Sequence, residues 1–311
     1  MDRPDILQLC PLPEWDQGPV SAAFFAHAYH ATADKTALLA SIGPHIRAII
    51  TNGALGVAPE ILAACPKLEL IAIYGVGFDA VDLATCKARG IRVTNTPDVL
   101  TDDCADLAVG MLLALSRGIV RADAWARGPW RQGPFPLTRR VTGMRVGIVG
   151  LGRIGAEVAN RLEGFNCDIA YSARSRKDVP YSFIRDVVAL ASRSDALIVT
   201  ALANAETRHQ INAEVLTALG TKGLLINIAR AAIIDEAALL DALETNRIAG
   251  AALDVFEGEP ALNPRFLTLP NVLLQPHHAS GTVETRKAMG QLMRDNLTAH
   301  FRKKRLVSPV V

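Results

Sequence analysis

The apolar run MRVGIVG, residues 144–150, ends on a glycine and opens directly into LGRIGAEVANRLEGF, a stretch with helical spacing. Three glycines, Gly150, Gly152 and Gly155, sit at or just after that junction, each with a physical reason. Gly150 permits a tight turn out of a strand, Gly152 lets a phosphate approach bare backbone, and Gly155 lets the helix pack closely on the strand. The helix start adds N–H groups that lack an intrahelical acceptor, at Arg153, Ile154 and Gly155, and these suit an anion. A glycine-rich turn with no ligand is the plain alternative, and the strand before and helix after weigh against it. The motif therefore asks for a parallel α/β sheet with a dinucleotide pyrophosphate at the helix start.

The rest of the chain fits that demand. At 311 residues it exceeds what one hydrophobic core commonly serves, which predicts two domains. In the first hundred residues ILQLC, AAFFAHAY, IRAIIT, LELIAIY and IRVTN read as strands, with DKTALLASI, APEILAAC and AVDLATCKAR as helices between them. After a long apolar helix, DDCADLAVGMLLALSRGI, come MRVGIVG, CDIAYS, DALIVTAL, GLLINIA, AGAALDV and NVLLQP. Strands alternating with helices predict parallel sheets covered by helices. Between that helix and the second series lies RGPWRQGPFPLTRR, a surface loop whose aromatics also suit a dimer contact. The basic cluster Arg302 to Arg305 reads as a solvated helix end.

Composition removes several functions. Lys plus Arg number 33 against 31 Asp plus Glu, a net charge of +2, too balanced for a nucleic-acid or anionic-membrane partner of the whole chain. Cys10, Cys65, Cys86, Cys104 and Cys167 are odd in number and never spaced CxxC, so neither a disulfide framework nor a metal site is expected. No basic leader precedes a long apolar stretch, and no apolar run reaches the ~18 residues of a membrane span. A cytoplasmic, unanchored protein with reduced thiols is the expectation.

The stretch IAYSARSRK, residues 169–177, is informative for what it lacks. About 20 residues past the glycines a carboxylate is expected to hold the adenosine ribose 2′-hydroxyl. Here the strand ends in Ala173, followed by Arg174, Ser175, Arg176 and Lys177, with no acid before Asp178. Arg174, Ser175 and Arg176 can donate to a 2′-phosphate, and Ala173 removes the charge that would repel it. The competing reading is a solvated basic turn. NADP(H) is favoured over NAD(H).

Three further segments carry reactive groups. Arg230 follows the apolar strand in LLINIARAAIIDEAALLDAL, where a guanidinium can clamp a carboxylate with two hydrogen bonds. AGAALDVFEGEPAL brings Asp254, Glu257 and Glu259, and NVLLQPHHASGTVETRK brings His277 and His278 just past a strand. Ligands of open α/β sheets sit beyond the carboxyl ends of the strands, so all three segments can converge beside a nicotinamide, with Asp254 against the cofactor.

At this point residues 91–102 (IRVTNTPDVLTD), 145–155 (RVGIVGLGRIG), 226–230 (INIAR), 252–260 (ALDVFEGEP) and 276–281 (PHHASG) together resemble the D-isomer-specific 2-hydroxyacid dehydrogenase family. Within it the chain is most similar to the glyoxylate, hydroxypyruvate and hydroxyphenylpyruvate reductases, through NTPDVLTD, SARSRK and GTVETRKAM. The resemblance implies a two-domain fold: a Rossmann-type cofactor domain at residues 99–283, and a smaller flavodoxin-like α/β substrate domain from residues 1–98 and 284–311. It implies a catalytic set of Arg230, Glu259 and His277, with Val76 and Gly77 offering N–H groups to the substrate carboxylate beside Arg230. It also implies a homodimer, with Trp130 or Phe135 of the 128–140 loop reaching the partner. Ala231 stands where a Gly usually follows the Arg, Asp106 where many members have Glu, and His278 where an aliphatic residue is usual. The choice of His277 over His278 therefore rests on the PH dipeptide. Reducing a 2-oxoacid to its D-2-hydroxyacid leaves a developing alkoxide that needs a proton, and protonated His277 can give it as a general acid.

Two alternatives stand beside this reading. One is an NAD(H)-sensing corepressor-like binding protein, which would not need Arg230, Glu259 and His277 together. The other is a dehydrogenase of another small acid, such as phosphite or formate.

Overall fold

The computed structural model describes residues 3–311; the first two residues of the N-terminal segment lie outside the described residues. Two compact units emerge, one from the residues up to Leu100 together with Gly281–Val311, the other from Thr101–Ser280. Each is built on its own parallel sheet.

The first unit has strands β1 (Asp5–Gln8), β2 (Phe25–Ala28), β3 (Ala48–Asn52), β4 (Leu70–Tyr74) and β5 (Arg92–Thr94). Helices α1 (Glu14–Ala23), α2 (Lys35–Ile42), α3 (Pro59–Ala64) and α4 (Leu83–Ala88) lie between them in the chain. The sheet order β2-β1-β3-β4-β5 is the flavodoxin-like doubly wound order. Every residue of β4 is buried, as are four of the five in β3, which is why these strands read as continuous apolar runs. The main difference from the sequence reading lies at the start of this unit. The AAFFAHAY run forms a strand only over Phe25–Ala28, because its first two residues close α1. That helix was hidden by Gly18 and Pro19, which read as breakers.

The second unit begins with α5 (Thr101–Arg117) and α6 (Ile119–Arg127), separated by Gly118 in the left-handed region, φ +59°. Helix α5 covers the helix expected there and ends at a residue with no Cβ to oppose the turn, and α6 beyond it was not expected. Strands β6 (Arg145–Val149), β7 (Asp168–Ser172), β8 (Ser182–Phe183), β9 (Ala196–Val199), β10 (Leu224–Asn227), β11 (Gly250–Leu253) and β12 (Val272–Leu274) follow. Interspersed are α7 (Arg153–Glu163), α8 (Val187–Ser192), α9 (Ala213–Leu219) and α10 (Glu236–Glu244). The order β12-β11-β10-β9-β6-β7-β8 is that of a Rossmann sheet extended by one strand, and it reverses direction between β6 and β9. Helix α7 buries Gly155, Val158, Ala159 and Leu162, one stripe at i, i+3, i+4, i+7.

The chain then returns to the first unit as α11 (Val283–Phe301), which packs on β4 and takes the Tyr74 hydroxyl hydrogen bond at the Arg286 carbonyl, 2.8 Å. Beyond it the last residues pair with β5. Val93 N–H donates to Val311 O (3.0 Å) and Val310 N–H to Val93 O (2.7 Å). The basic cluster Arg302 to Arg305 is exposed just past the helix end.

Asp195, immediately before β9, holds the near ends of two central strands of the second unit. It accepts from the N–H (3.0 Å), Nε (3.1 Å) and Nη2 (3.1 Å) of Arg145 at the start of β6, and from Arg139 Nη2 (3.3 Å). The Arg145 guanidinium holds its carboxyl below the ordinary Asp range. A depressed folded-state value contributes stability that is present above the unfolded pKa of ~3.9 and is lost as pH falls through the lower folded value. Asp195→Asn should therefore cost about 1 kcal/mol at pH 7, a gap that closes below about pH 4. Urea midpoints of the second-unit transition measured from pH 7 to pH 3 read this directly, and a gap independent of pH contradicts it.

Candidate active site

All seven strands of the second unit are parallel, so their carboxyl ends share one edge, and the expected site residues fall along it. Leaving β6, Gly150 takes φ +97°, and a Cβ there would meet the Ala201 backbone at 2.5 Å. A Cβ on Gly155 would meet the Gly150 carbonyl oxygen at 2.3 Å and Thr200 Oγ1 at 2.8 Å. Both positions exclude any side chain. Around Gly152, by contrast, a Cβ would meet nothing within 4 Å, and no side chain caps α7 there. The first-turn N–H groups of Arg153, Ile154 and Gly155 thus start an uncapped helix behind an open glycine, which suits a pyrophosphate. Thr200, which sequence reasoning missed, holds the turn by donating to Gly150 O at 2.6 Å.

At the end of the neighbouring β7, Ala173 is half-buried, and Arg174, Ser175, Arg176 and Lys177 are exposed. The loop is pinned at its far end by Tyr171, whose ring is fully buried against Phe183 and whose hydroxyl accepts the Lys177 N–H at 2.7 Å. Ser172 Oγ donates to Arg185 O at 2.9 Å. These residues fit a dinucleotide: two glycines closed to side chains, an uncapped helix start, and a shaped basic loop one strand away.

The reactive groups come from three adjacent strand ends. At the end of β10, Asn227 is buried and bridges the turn, its Oδ1 accepting Ala229 N–H (3.0 Å) and its Nδ2 donating to Arg230 O (3.1 Å). Half-buried Arg230 donates from Nη1 to Ala229 O, 2.7 Å. Beyond β12, His277 adopts φ +51°, a left-handed conformation that His tolerates better than most residues. That turn brings its Nδ1 to 2.7 Å from Glu259 Oε2, while Glu259 Oε1 accepts the Phe256 N–H at 2.7 Å. Both carboxylate oxygens are thus occupied, one holding its own loop and one holding the imidazole. With Nδ1 turned to the carboxylate, Nε2 is the nitrogen that can deliver a proton.

Asp254, expected against the cofactor, is fully buried beyond β11, and its oxygens accept the N–H groups of His278 (2.6 Å) and Ala279 (3.0 Å). Its carboxylate ties the turn that carries His277. Burial pushes this carboxyl above the ordinary Asp range, with the two N–H bonds acting in the opposite direction. The Glu257 carboxylate lies 4.0 Å from His209 Nε2 while its backbone N–H donates to Glu236 Oε2 at 3.1 Å, and His278 is exposed. Val76 and Gly77 follow β4 after Gly75 in the first unit. Among the described residues no group of His, Cys, Asp and Glu could hold a metal ion, and no helix is long and apolar enough to cross a membrane.

Residues 109–279 match the family described as D-isomer specific 2-hydroxyacid dehydrogenase, NAD binding domain. Over the full length of both chains the sequence is 47% identical to hydroxyphenylpyruvate reductase of Plectranthus scutellarioides. It is 45% identical, again over both full chains, to a glyoxylate/hydroxypyruvate reductase of Arabidopsis thaliana. Among solved structures, a 2-hydroxyacid dehydrogenase from Ketogulonicigenium vulgare Y25 superposes with TM-score 0.94 at 59% identity, covering 100% of this chain and 99% of that one. An NADPH-dependent glyoxylate/hydroxypyruvate reductase from Sinorhizobium meliloti, solved with NADP and malonate, gives TM-score 0.92 at 40% identity, covering 100% and 97%. These similarities favour neither a corepressor nor a phosphite or formate dehydrogenase.

Proposed function

Because this chain belongs to the D-isomer specific 2-hydroxyacid dehydrogenase family and is a nicotinamide-dependent oxidoreductase, we propose that it reduces a small 2-oxoacid to the D-2-hydroxyacid with NADPH. The substrate class is that of glyoxylate, hydroxypyruvate and aryl pyruvates. The observation that carries the reading is the 2.7 Å contact between His277 Nδ1 and Glu259, on the strand edge that also carries Arg230.

The bound nicotinamide supplies the hydride. Arg230 holds the substrate carboxylate with its planar fork, and the N–H groups of Val76 and Gly77 are further carboxylate donors. His277 gives a proton from Nε2 to the alkoxide oxygen, and Glu259 fixes the imidazole orientation. The residues up to Leu100 with Gly281–Val311 act as substrate domain, and Thr101–Ser280 as cofactor domain. With five free cysteines, the protein works in a reducing cytoplasm.

It does so as a homodimer. Ile119 and Val120 of α6 expose more than half of their surface, Trp130 is 66% exposed, and Leu137 is fully exposed, all within 20 residues of the second unit. Trp130 is the aromatic available to a partner, since Phe135 packs against Trp125 of its own chain with centroids 5.9 Å apart. Val120→Asp with Leu137→Asp should yield a monomer by sedimentation velocity; an unchanged species would place the interface elsewhere.

His277→Ala should lower kcat for glyoxylate by roughly 10²- to 10⁴-fold with NADPH affinity little changed, and His278→Ala far less. Steady-state rates followed at the reduced-nicotinamide absorbance decide this. Equal losses in both variants would remove the assignment, and no turnover of any 2-oxoacid would remove the proposed reaction.

Cofactor choice is tested at the β7 loop. Arg174 and Ser175 bind the 2′-phosphate and Arg176 adds an attraction that salt screens. Ala173→Asp combined with Arg174→Ala should weaken NADPH roughly tenfold or more while NADH binding holds or improves. The readout is kcat/KM for each cofactor at fixed ionic strength. A wild type that prefers NADH, or a ratio unmoved in the variant, would return the loop to an ordinary solvated turn.

A further inference from the structure

Leaving β4, the first unit's chain runs Gly75-Val76-Gly77, and two successive carbonyls of this segment are held from the same side. Gly75 O accepts the Thr96 N–H at 2.8 Å, and Val76 O accepts from Asn95 Nδ2 at 2.8 Å. A trans peptide is planar, with its C=O and the following N–H pointing in opposite directions. Fixing Gly75 O therefore turns the Val76 N–H away from the 95–96 segment, and fixing Val76 O does the same to the Gly77 N–H. Neither N–H has a backbone acceptor among the described residues, and Gly77 is buried. Successive N–H groups turned to one side make an anion-binding concavity.

Asn95 is itself held. It is 8% exposed, its carbonyl accepts Ser308 Oγ at 2.6 Å, and its N–H donates to Ser308 O at 3.4 Å. Ser308 lies in the C-terminal tail, fixed in turn by fully buried Asn296 of α11. Asn296 Nδ2 donates to Ser308 Oγ (2.8 Å) and Leu292 O (2.8 Å), and its Oδ1 accepts the N–H groups of Val307 (3.0 Å) and Ser308 (3.1 Å). Two donors and two acceptor positions are all an Asn side chain has, so this buried network is complete.

We infer that Asn95 is a positioning residue for the substrate carboxylate, orienting the Val76–Gly77 peptide, and that the C-terminal tail braces it through Ser308 and Asn296. The inference rests on the reading of Val76 and Gly77 as carboxylate donors. It gives Ser308 and Asn296 a part in substrate affinity through the hydrogen bonds that hold Asn95.

The test uses the full-length protein, glyoxylate as substrate, and oxamate as an unreactive 2-oxoacid isostere. Losing one hydrogen bond that orients an anion donor should raise the KM for glyoxylate and the Kd for oxamate roughly tenfold in Asn95→Ala, with NADPH Kd unchanged and kcat altered less. Asn95→Asp keeps the side-chain size but offers Val76 O no donor, and should behave the same way. Ser308→Ala should shift the same two constants in the same direction by less. A purely structural role would lower the melting temperature without separating oxamate from NADPH, and that outcome overturns the inference. Arg230→Lys keeps the tests apart: if it weakens oxamate while Asn95→Ala does not, the positioning role fails and the carboxylate reading stands. If neither variant weakens oxamate, the carboxylate reading itself fails. Should Asn95→Ala not fold, Ser308→Ala decides by the same selective shift, and no shift overturns the inference.

Discussion

A parallel sheet places the carboxyl ends of all its strands on one edge, and the arrangement of the candidate site in the second unit depends on that constraint. Arg230, Glu259 and His277 are separated by up to 47 positions in sequence, yet they follow β10, β11 and β12, which are hydrogen-bonded neighbours. The glycine turn follows β6, beside the point where strand order reverses. The backbone proposed to bind phosphate and the side chain proposed to donate the proton are thus set on one edge by topology. None of these residues could be moved to the opposite edge without reversing a strand.

Local devices then fix what topology only brings near. The His277 turn is held at one end by its own left-handed backbone and at the other by the Asp254 carboxylate, which takes the next two N–H groups. Glu259 is fixed by the Phe256 N–H, so the carboxylate that meets His277 is already oriented. Groups placed this way need little rearrangement when a charge develops, which is where a preorganised site gains over water. Burial makes the ionised form of Asp254 expensive in isolation, and two backbone donors are what make it tolerable.

The legible part of this molecule was the part encoded locally. Strands such as β4 and β9, buried along their whole length, announce themselves as apolar runs, and the glycine turn announces itself because each glycine answers a steric demand within a few residues. Helix α1 did not, because Gly18 and Pro19 oppose it locally and packing of its buried face against α11 overrides them. Arg230, Glu259 and His277 were named through short motifs resembling a family. Nothing in their own neighbourhoods said that Asp254 would brace a turn 24 positions away. Thr200, Tyr171 and Asn95 stayed invisible for the same reason: a polar side chain acquires its role from a partner that strand order supplies, and Asn95 meets Ser308 across 213 positions.

That dependence on distant partners has a consequence for how function is distributed in the chain. The groups proposed to touch substrate or cofactor are few and lie in short motifs. The groups that aim them, Asn227 for the Arg230 turn, Asp254 for the histidine turn, Tyr171 for the basic loop and Asn95 for the Val76–Gly77 peptide, are buried to more than nine-tenths in every case. A buried polar side chain is tolerated only when its hydrogen bonds are made, so each of these residues holds one backbone arrangement and penalises others. Exposed Arg174 and Arg176 are under no such constraint, because water can satisfy them in any conformation. What orders them is the loop that carries them, and that loop is held from below by the Tyr171 hydroxyl on the Lys177 N–H. Changing the charge of the loop and changing its shape are therefore separate ways to test the proposed cofactor preference, and the second can be made from the core at Tyr171.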